Sequence, residues 1–285
     1  MKFTAAALNQ NQKLLILKAS VLFALLVVTF YPIYAPLYER FTAKNSYYSH
    51  GFLIPLISAF ILWRKREKFK ALTVSPSSWG LGVLISGVLL HVASAALKVN
   101  FTSYLSLIIV LCGLILYLGG KSFLKEAAFG IIFLFFMIPL PEVIVIGISF
   151  KMKIMAAHLS TVFANWMGVG ALREGSTIHL AKGQILIGDP CSGLRSLISF
   201  LALGVLFAYF SQASFLKRLF LVICTAPIAL LSNIARIMLL VFVTHIYGEK
   251  AAMGFVHDAS GIMAFVLAFL GFIAISRVLK GSDEA

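Results

Sequence analysis

Leu219-Phe220-Leu221-Val222-Ile223-Cys224-Thr225-Ala226-Pro227-Ile228-Ala229-Leu230-Leu231-Ser232-Asn233-Ile234-Ala235-Arg236 runs without a charge until its last residue and lies inside a longer apolar segment, 216–247. A bilayer core takes roughly 20 apolar residues of helix, so this segment reads as a membrane-spanning helix that carries a buried arginine. Pro227 predicts a kink in it. Asn233 and Arg236 are three residues apart and share one helical face.

Working outward, the same pattern recurs along nearly the whole chain. Of its 285 residues 61% are hydrophobic and 12% charged, against the usual half apolar and quarter charged of about. The expected fold class is an all-α polytopic membrane protein. About eight transmembrane helices are expected, at 14–36, 47–63, 79–97, 101–120, 123–140, 192–210, 216–247 and 255–278. No polar stretch is long enough to fold separately, so residues 1–285 form a single membrane-embedded domain with its core at 14–280. The first apolar run exits through Tyr34-Ala35-Pro36, where proline opposes signal-peptide cleavage and favours an uncleaved anchor.

The net charge of +14 comes mostly from Lys and Arg that flank the apolar runs. Such placement orients a chain in a bilayer and gives no support to a nucleic-acid partner. The cluster Arg64-Lys65-Arg66-Glu67-Lys68-Phe69-Lys70 puts the end of the second span, and hence the N-terminus, in the cytoplasm. That side then carries more of the basic residues than the outer side, while Arg195 and Arg236 fall within spans. The expected location is the cytoplasmic (inner) membrane with the site facing outward. Segment 142–167 follows Pro139-Leu140-Pro141 and is interrupted by Lys151, Lys153 and His158. An amphipathic helix on the outer surface fits it better than a ninth crossing. Thr177-Ile178-His179-Leu180 and Gln184-Ile185-Leu186-Ile187, separated by Ala181-Lys182-Gly183, predict a small extracytoplasmic β-hairpin or two extended arms.

Of the three cysteines, Cys112 and Cys224 lie inside apolar spans and read as small buried hydrophobes. Three cannot all pair, and no metal-ligand spacing is present, so neither a disulfide framework, a metal nor another cofactor is expected. Cys191 differs. It sits in the turn-forming run Asp189-Pro190-Cys191-Ser192-Gly193-Leu194-Arg195, which opens the sixth span on the outer side. A helix start with a neighbouring cation favours the thiolate, the nucleophilic form of cysteine. Arg236 or Arg195 can lower the thiol pKa and donate to an oxyanion, and the sequence does not divide these roles. The opposing reading makes Arg236 a structural cation on carbonyls and Asn233 a helix-packing amide.

His257, with Asp258, opens the eighth span at the same outer level, and Gly261 one turn on permits close helix packing. Imidazole can take a proton from a thiol and return it to a leaving amine. Asp258 is adjacent in sequence and is a poor orienter of that ring. Competing histidines on the outer side are His50, His179 and His245; His50, in Tyr48-Ser49-His50-Gly51-Phe52, is the strongest rival, since it too begins a span there, while His91 and His158 read as packing or surface residues.

The order Cys191-Ser192-Gly193-Leu194-Arg195, then Asn233 and Arg236, then His257 at the start of a last span resembles the exosortase and archaeosortase family of membrane transpeptidases. Ser49-His50-Gly51-Phe52-Leu53-Ile54-Pro55 with its following basic cluster is similar to that family's amino-terminal signature. The resemblance implies a catalytic set of Cys191, Arg236 and His257, with Arg195, Asn233, Ser192, Gly193 and His50 as supporting or substrate-binding residues. It implies cleavage of membrane-anchored proteins near a carboxy-terminal sorting signal (PEP-CTERM-like: a short motif, one span and a basic tail). Transfer to a lipid or glycolipid acceptor and exopolysaccharide gene neighbours go with it. Gly188-Asp189-Pro190 stands where many members carry a Glu-Ala-like pair, which bears on subtype and recognised motif.

Two other function classes remain open at this level. One is a transporter or assembly factor for surface polysaccharide, with Arg195, Asn233 and Arg236 along a polar path; no inverted repeat is evident. The other is hydrolysis without transfer.

Overall fold

The computed structural model describes residues 10–44, 46–211 and 213–281. Its contacts divide the chain into two compact units. One comprises 1–43 and 49–139, the other 44–48 and 140–285.

In the first unit, α1 (Gln10–Thr29) and α2 (Tyr31–Thr42) meet at a bend of 63° about Phe30. The expected single span 14–36 is therefore broken. Pro32 lies in the first turn of α2, where its missing N–H has no partner to lose, and Pro36 is carried inside the same helix. Phe30 is fully buried, with its ring 4.2 Å from that of His91. His91 Nε2 faces the Thr29 carbonyl at 3.0 Å and Nδ1 faces Ser103 Oγ at 2.9 Å, so this histidine is a satisfied packing residue. α5 (Trp79–Ala96) and α6 (Asn100–Leu118) cross so closely that a side chain on Gly80 or Gly113 would strike the facing backbone. α3 (Leu53–Arg64), α4 (Arg66–Ala71) and α7 (Lys121–Phe133) complete the unit. Lys65 ties α3 to α7 through Glu126, at 3.1 Å to the carboxylate and 2.7 Å to the backbone oxygen.

The second unit is built around α10 (Phe215–Tyr247), a helix that runs unbroken through Pro227. It packs against α8 (Glu142–Trp166), α9 (Leu194–Phe210), α11 (Glu249–Ala252) and α12 (Phe255–Gly281). Along α12, Phe265 stacks on Phe200 at 4.9 Å and, further on, Phe272 packs edge-on against Phe207 at 5.2 Å. Over the carboxy-terminal parts of α8 and α10 lies a three-stranded antiparallel meander of β1 (Ala171–Glu174), β2 (Thr177–Leu180) and β3 (Gly183–Leu186). The register pairs Arg173 with Ile178 and Ile178 with Ile185. Ile178 and Ile185 turn inward to Ala156, Ala157, Ala164, Ile237 and Val241, in a core that also includes Cys191. The hairpin expected at 177–187 is present, and β1 adds a strand to it.

Among the described residues five helices are long and apolar enough to cross a membrane, or six with the bent α1–α2 pair counted as one span. The chain is thus a mostly helical, multi-pass membrane protein, with fewer qualifying spans than the eight expected. The differences have local causes. Segment 47–63 starts with a 3-10 turn, Ser49–Phe52, and 123–140 ends in another, Leu134–Met137. Ser49–Arg64, with its first turn included, and Leu194–Phe210 are apolar but shorter than the spans, and Leu134–Met137 ends α7 early. Segment 142–167, expected as an outer amphipathic helix, is one continuous 25-residue helix whose length and composition place it among the candidate spans. Of its three interrupting residues Lys153 meets Asp189, as does nearby Ser149, next to the Cys191 turn.

Candidate active site

Cys191, Arg236 and His257 converge in the second unit from three separate elements. Cys191 closes a short 3-10 turn, Asp189–Cys191, whose amide donates to the Gly188 carbonyl at 3.0 Å. The Ser192 hydroxyl donates to the Asp189 carbonyl at 2.8 Å and is fully buried, which locks the turn. Gly193 follows with φ +80, and only then does α9 begin at Leu194. The expectation that Cys191 occupies the first turn of the sixth span is corrected. A left-handed residue, Gly193, separates the thiol from the helix. Gly193 is required twice over, since a Cβ there would lie 3.0 Å from Asn233 Cγ and Nδ2.

His257 lies in the first turn of α12. Its Nε2 is 3.0 Å from Cys191 Sγ, and Nδ1 is 3.4 Å from the largely exposed carboxylate of Asp258. With Nδ1–H directed at Asp258, Nε2 presents a lone pair to the thiol. The long, solvent-exposed Asp258 contact agrees with its reading as a weak orienter. Arg236 is buried on α10 and uses one edge of its guanidinium on α12. Nε donates to Ser260 Oγ at 3.2 Å and Nη2 to the His257 carbonyl at 3.4 Å, with His257 Nε2 at 3.5 Å. Ser260 in turn donates to the same His257 carbonyl at 2.7 Å. Gly261 presents its bare Cα to this guanidinium, with a Cβ position 3.7 Å from Arg236 Cζ. Asn233 reaches the other way, its Nδ2 donating to the Cys191 carbonyl at 3.0 Å.

Burial pushes the Cys191 thiol pKa up, while the Arg236 guanidinium pulls it down, and the upward effect is the larger. The expected thiolate-stabilising environment is therefore replaced by one in which the thiol keeps its proton beside a base that can accept it. Cysteine, imidazole and guanidinium so arranged can generate a nucleophile on demand and relay a proton at Nε2.

Two other sequence candidates have surroundings of their own. Arg195 lies in the first turn of α9, with Nε and Nη2 sealed from solvent and without a hydrogen-bond partner among the described residues. His50 belongs to the first unit, in the turn Ser49–Phe52, where it bonds the Phe136 backbone. Residues that sequence reasoning passed over are Ser260, Lys153, Ser149 and Tyr47. Lys153 Nζ is 2.7 Å and Ser149 Oγ 3.4 Å from Asp189 Oδ1, and Tyr47 Oη is 3.3 Å from Ser149 Oγ. Ser260 was within reach of the sequence, three residues after His257 on one helical face.

A family model for transmembrane exosortases matches residues 40–274. The chain belongs to the transmembrane exosortase family. No curated protein and no solved structure matches this exosortase. Members of the family are generally cysteine transpeptidases that act in protein sorting.

Proposed function

We propose that this exosortase is a membrane cysteine transpeptidase, and that Cys191, His257 and Arg236 carry its chemistry. The observation that bears the weight is the 3.0 Å approach of Cys191 Sγ to His257 Nε2, from elements 66 residues apart. His257 Nε2 takes the thiol proton as sulfur bonds to a peptide carbonyl carbon. Arg236 supports the negative charge and holds the α12 turn that carries the imidazole. As the C–N bond breaks, the imidazolium gives its proton to the departing amine, leaving a thioester on Cys191. An amine of the acceptor, or water, then attacks the thioester and frees the thiol.

The substrate is a membrane-anchored protein with a carboxy-terminal sorting signal of the PEP-CTERM kind, and the acceptor a lipid or glycolipid. Shared anchoring raises the effective concentration of the partners. The family match runs through both units, which supports one functional domain. The 33 residues of α10 extend about 50 Å at 1.5 Å per residue, more than a hydrocarbon core of about 30 Å. Ile237, Leu240 and Val241, beyond Arg236, pack under the meander. This favours a site at the outer rim of the inner membrane, with Phe215–Arg236 as the crossing part.

Co-expression with a substrate of this class tests the reading. Cys191→Ala, inserted at normal levels, leaves the substrate uncleaved; normal processing by that variant would remove the proposal. Mass analysis of the mature carboxyl terminus then separates transfer, which adds a group, from hydrolysis, which leaves a free carboxylate.

A further inference from the structure

Ser260 is fully buried three residues after His257, and its hydroxyl is committed on both sides. It donates its one proton to the His257 carbonyl at 2.7 Å, which leaves only lone pairs to face Arg236, whose Nε donates to Oγ at 3.2 Å. A serine hydroxyl that bonds back to its own helix is common and would form without any arginine nearby. That habit does not account for the second contact, in which the same oxygen takes the Nε–H of a buried cation from another helix.

The contact decides how the guanidinium lies. Nε on Ser260 and Nη2 on the His257 carbonyl, at 3.4 Å, are two contacts on one edge of a rigid planar group, and together they set its plane. Both acceptors belong to the start of α12, which also carries the imidazole. Arg236 is thus rooted on α10 and oriented by α12, so its head stays with His257 if the two helices slide. The head lies beside the reacting pair: Nη2 is 3.5 Å from His257 Nε2, which is itself 3.0 Å from Cys191 Sγ. Supplying positive charge to a thiol needs no such alignment, because the sign of the charge is enough. Donating to an oxygen that becomes negative only as sulfur adds to a carbonyl does need it, since that hydrogen bond is directional.

We propose that Ser260 is a positioning residue, whose hydroxyl orients the Arg236 guanidinium towards the oxyanion that forms when Cys191 Sγ adds to a carbonyl carbon. This rests on the acyl-transfer reading of Cys191 and Arg236, and adds a fourth side chain that acts through the third.

Two reactions of one sulfur test it. With p-nitrophenyl acetate, Sγ bonds to the acyl carbon, the thiol proton passes to His257 Nε2, and the carbonyl oxygen holds the charge until the C–O bond to p-nitrophenolate breaks. With iodoacetamide, Sγ displaces iodide and no oxyanion arises. Purified full-length enzyme is treated with each reagent, and modification of Cys191 is timed by mass spectrometry. The readout is the acylation-to-alkylation rate ratio within each enzyme, from which changes in access to the thiol and in its ionisation cancel. Ser260→Ala lowers this ratio by about tenfold, the scale of one hydrogen bond to a charged group. Arg236→Gln lowers it at least as far, and Ser260→Ala added to Arg236→Gln lowers it no further. Ser260→Thr, which keeps the hydroxyl, stays near the wild type, whereas Ser260→Val, of the same shape without it, behaves as the alanine variant does.

An unchanged ratio in Ser260→Ala, with Arg236→Gln lowered, overturns this inference and leaves the role of Arg236 standing. A further fall in the double variant also overturns it, because the hydroxyl would then act without the guanidinium. If Ser260→Ala does not fold, equal ratios for the threonine and valine variants do so instead. An unchanged ratio in Arg236→Gln, or no acylation of Cys191 in the wild type, defeats the underlying acyl-transfer reading, and this inference with it.

Discussion

The side-chain amide of Asn233 donates to the Cys191 carbonyl at 3.0 Å, while Arg236, one turn further on, donates to the His257 carbonyl at 3.4 Å. One face of α10 thus grips the backbone behind both members of the thiol–imidazole pair. Neither contact touches the sulfur, yet together they fix how far Cys191 lies from His257. The Asn-x-x-Arg spacing is in this sense a ruler: three residues of helix set the relative positions of the Cys191 turn and the α12 start.

Asn233→Ala should loosen that ruler. It leaves a buried carbonyl without its donor, at about 1–2 kcal/mol. Substrate processing and Cys191 alkylation should both fall by about tenfold. Asn233→Asp should be worse, because a carboxylate oxygen then faces the Cys191 carbonyl oxygen. Equal rates for the alanine and aspartate variants, measured by timed alkylation, would show that the hydrogen bond is not what positions the turn.

Much of the site could be read from the chain because helical periodicity is local. Asn233 and Arg236 sit on one face at any depth, and His257 begins a span whatever that span packs against. What escaped depends on long-range packing. The 3-10 turn at Leu134–Met137 ends α7 early, and nothing in its hydropathy marks the change. Strand β1 has Leu172 and Glu174 on its exposed face, so it lacks the apolar alternation that revealed β2 and β3. Lys153 meets Asp189 across 36 residues. The direction of the Cys191 pKa shift went the other way from expectation because its burial comes from Ile187, Ile237 and their neighbours, which no local motif encodes.

Arg236 should control the pH dependence of the thiol. Burial raises the Cys191 pKa and Arg236 opposes that rise. Removing the charge in Arg236→Gln leaves the upward effect unopposed. The thiolate then forms only at higher pH, and the alkylation profile moves to the alkaline side. Arg236→Lys keeps the charge and loses the paired contacts to Ser260 and His257, so its profile should stay near the wild type while the rate of processing falls. A shift to lower pH in Arg236→Gln would contradict this account.

A charged thiol reagent that does not cross membranes should label Cys191 in intact cells, more slowly than it labels a surface cysteine because the residue is 6% exposed. Labelling that requires permeabilisation would reverse the proposed orientation.

Gly193→Ala combines two penalties. An L-residue at φ +80 costs about 1–2 kcal/mol. In addition the new methyl group would lie 3.0 Å from the Asn233 amide. In the double variant Gly193→Ala/Asn233→Ala the second penalty is eased, though the Cβ of residue 233 still lies 3.1 Å from the new methyl group, and the first remains. Processing by the pair should therefore fall by less than the product of the single effects. Strict multiplicativity, measured as initial cleavage rates, would mean that Gly193 and Asn233 act independently.

The Lys153–Asp189 pair holds the Cys191 turn against α8, at 2.7 Å with the lysine side chain 20% and the aspartate 62% exposed. Solvent on the aspartate screens the attraction, so its loss should cost stability no more than about 1 kcal/mol. Its effect on rate is different in kind, because Asp189 begins the turn that Cys191 ends and any shift is passed to the sulfur. Lys153→Ala should reduce processing by about three- to tenfold with little change in Tm. Raising the salt concentration should slow the wild type towards the variant and leave the variant itself nearly unaffected. The charge-swapped pair Lys153→Asp/Asp189→Lys should recover part of the rate, whereas either swap alone places like charges together. Recovery absent from the double swap, with both single swaps folded and inserted, would show that the shapes of these side chains, and not their charges, seat the Cys191 turn.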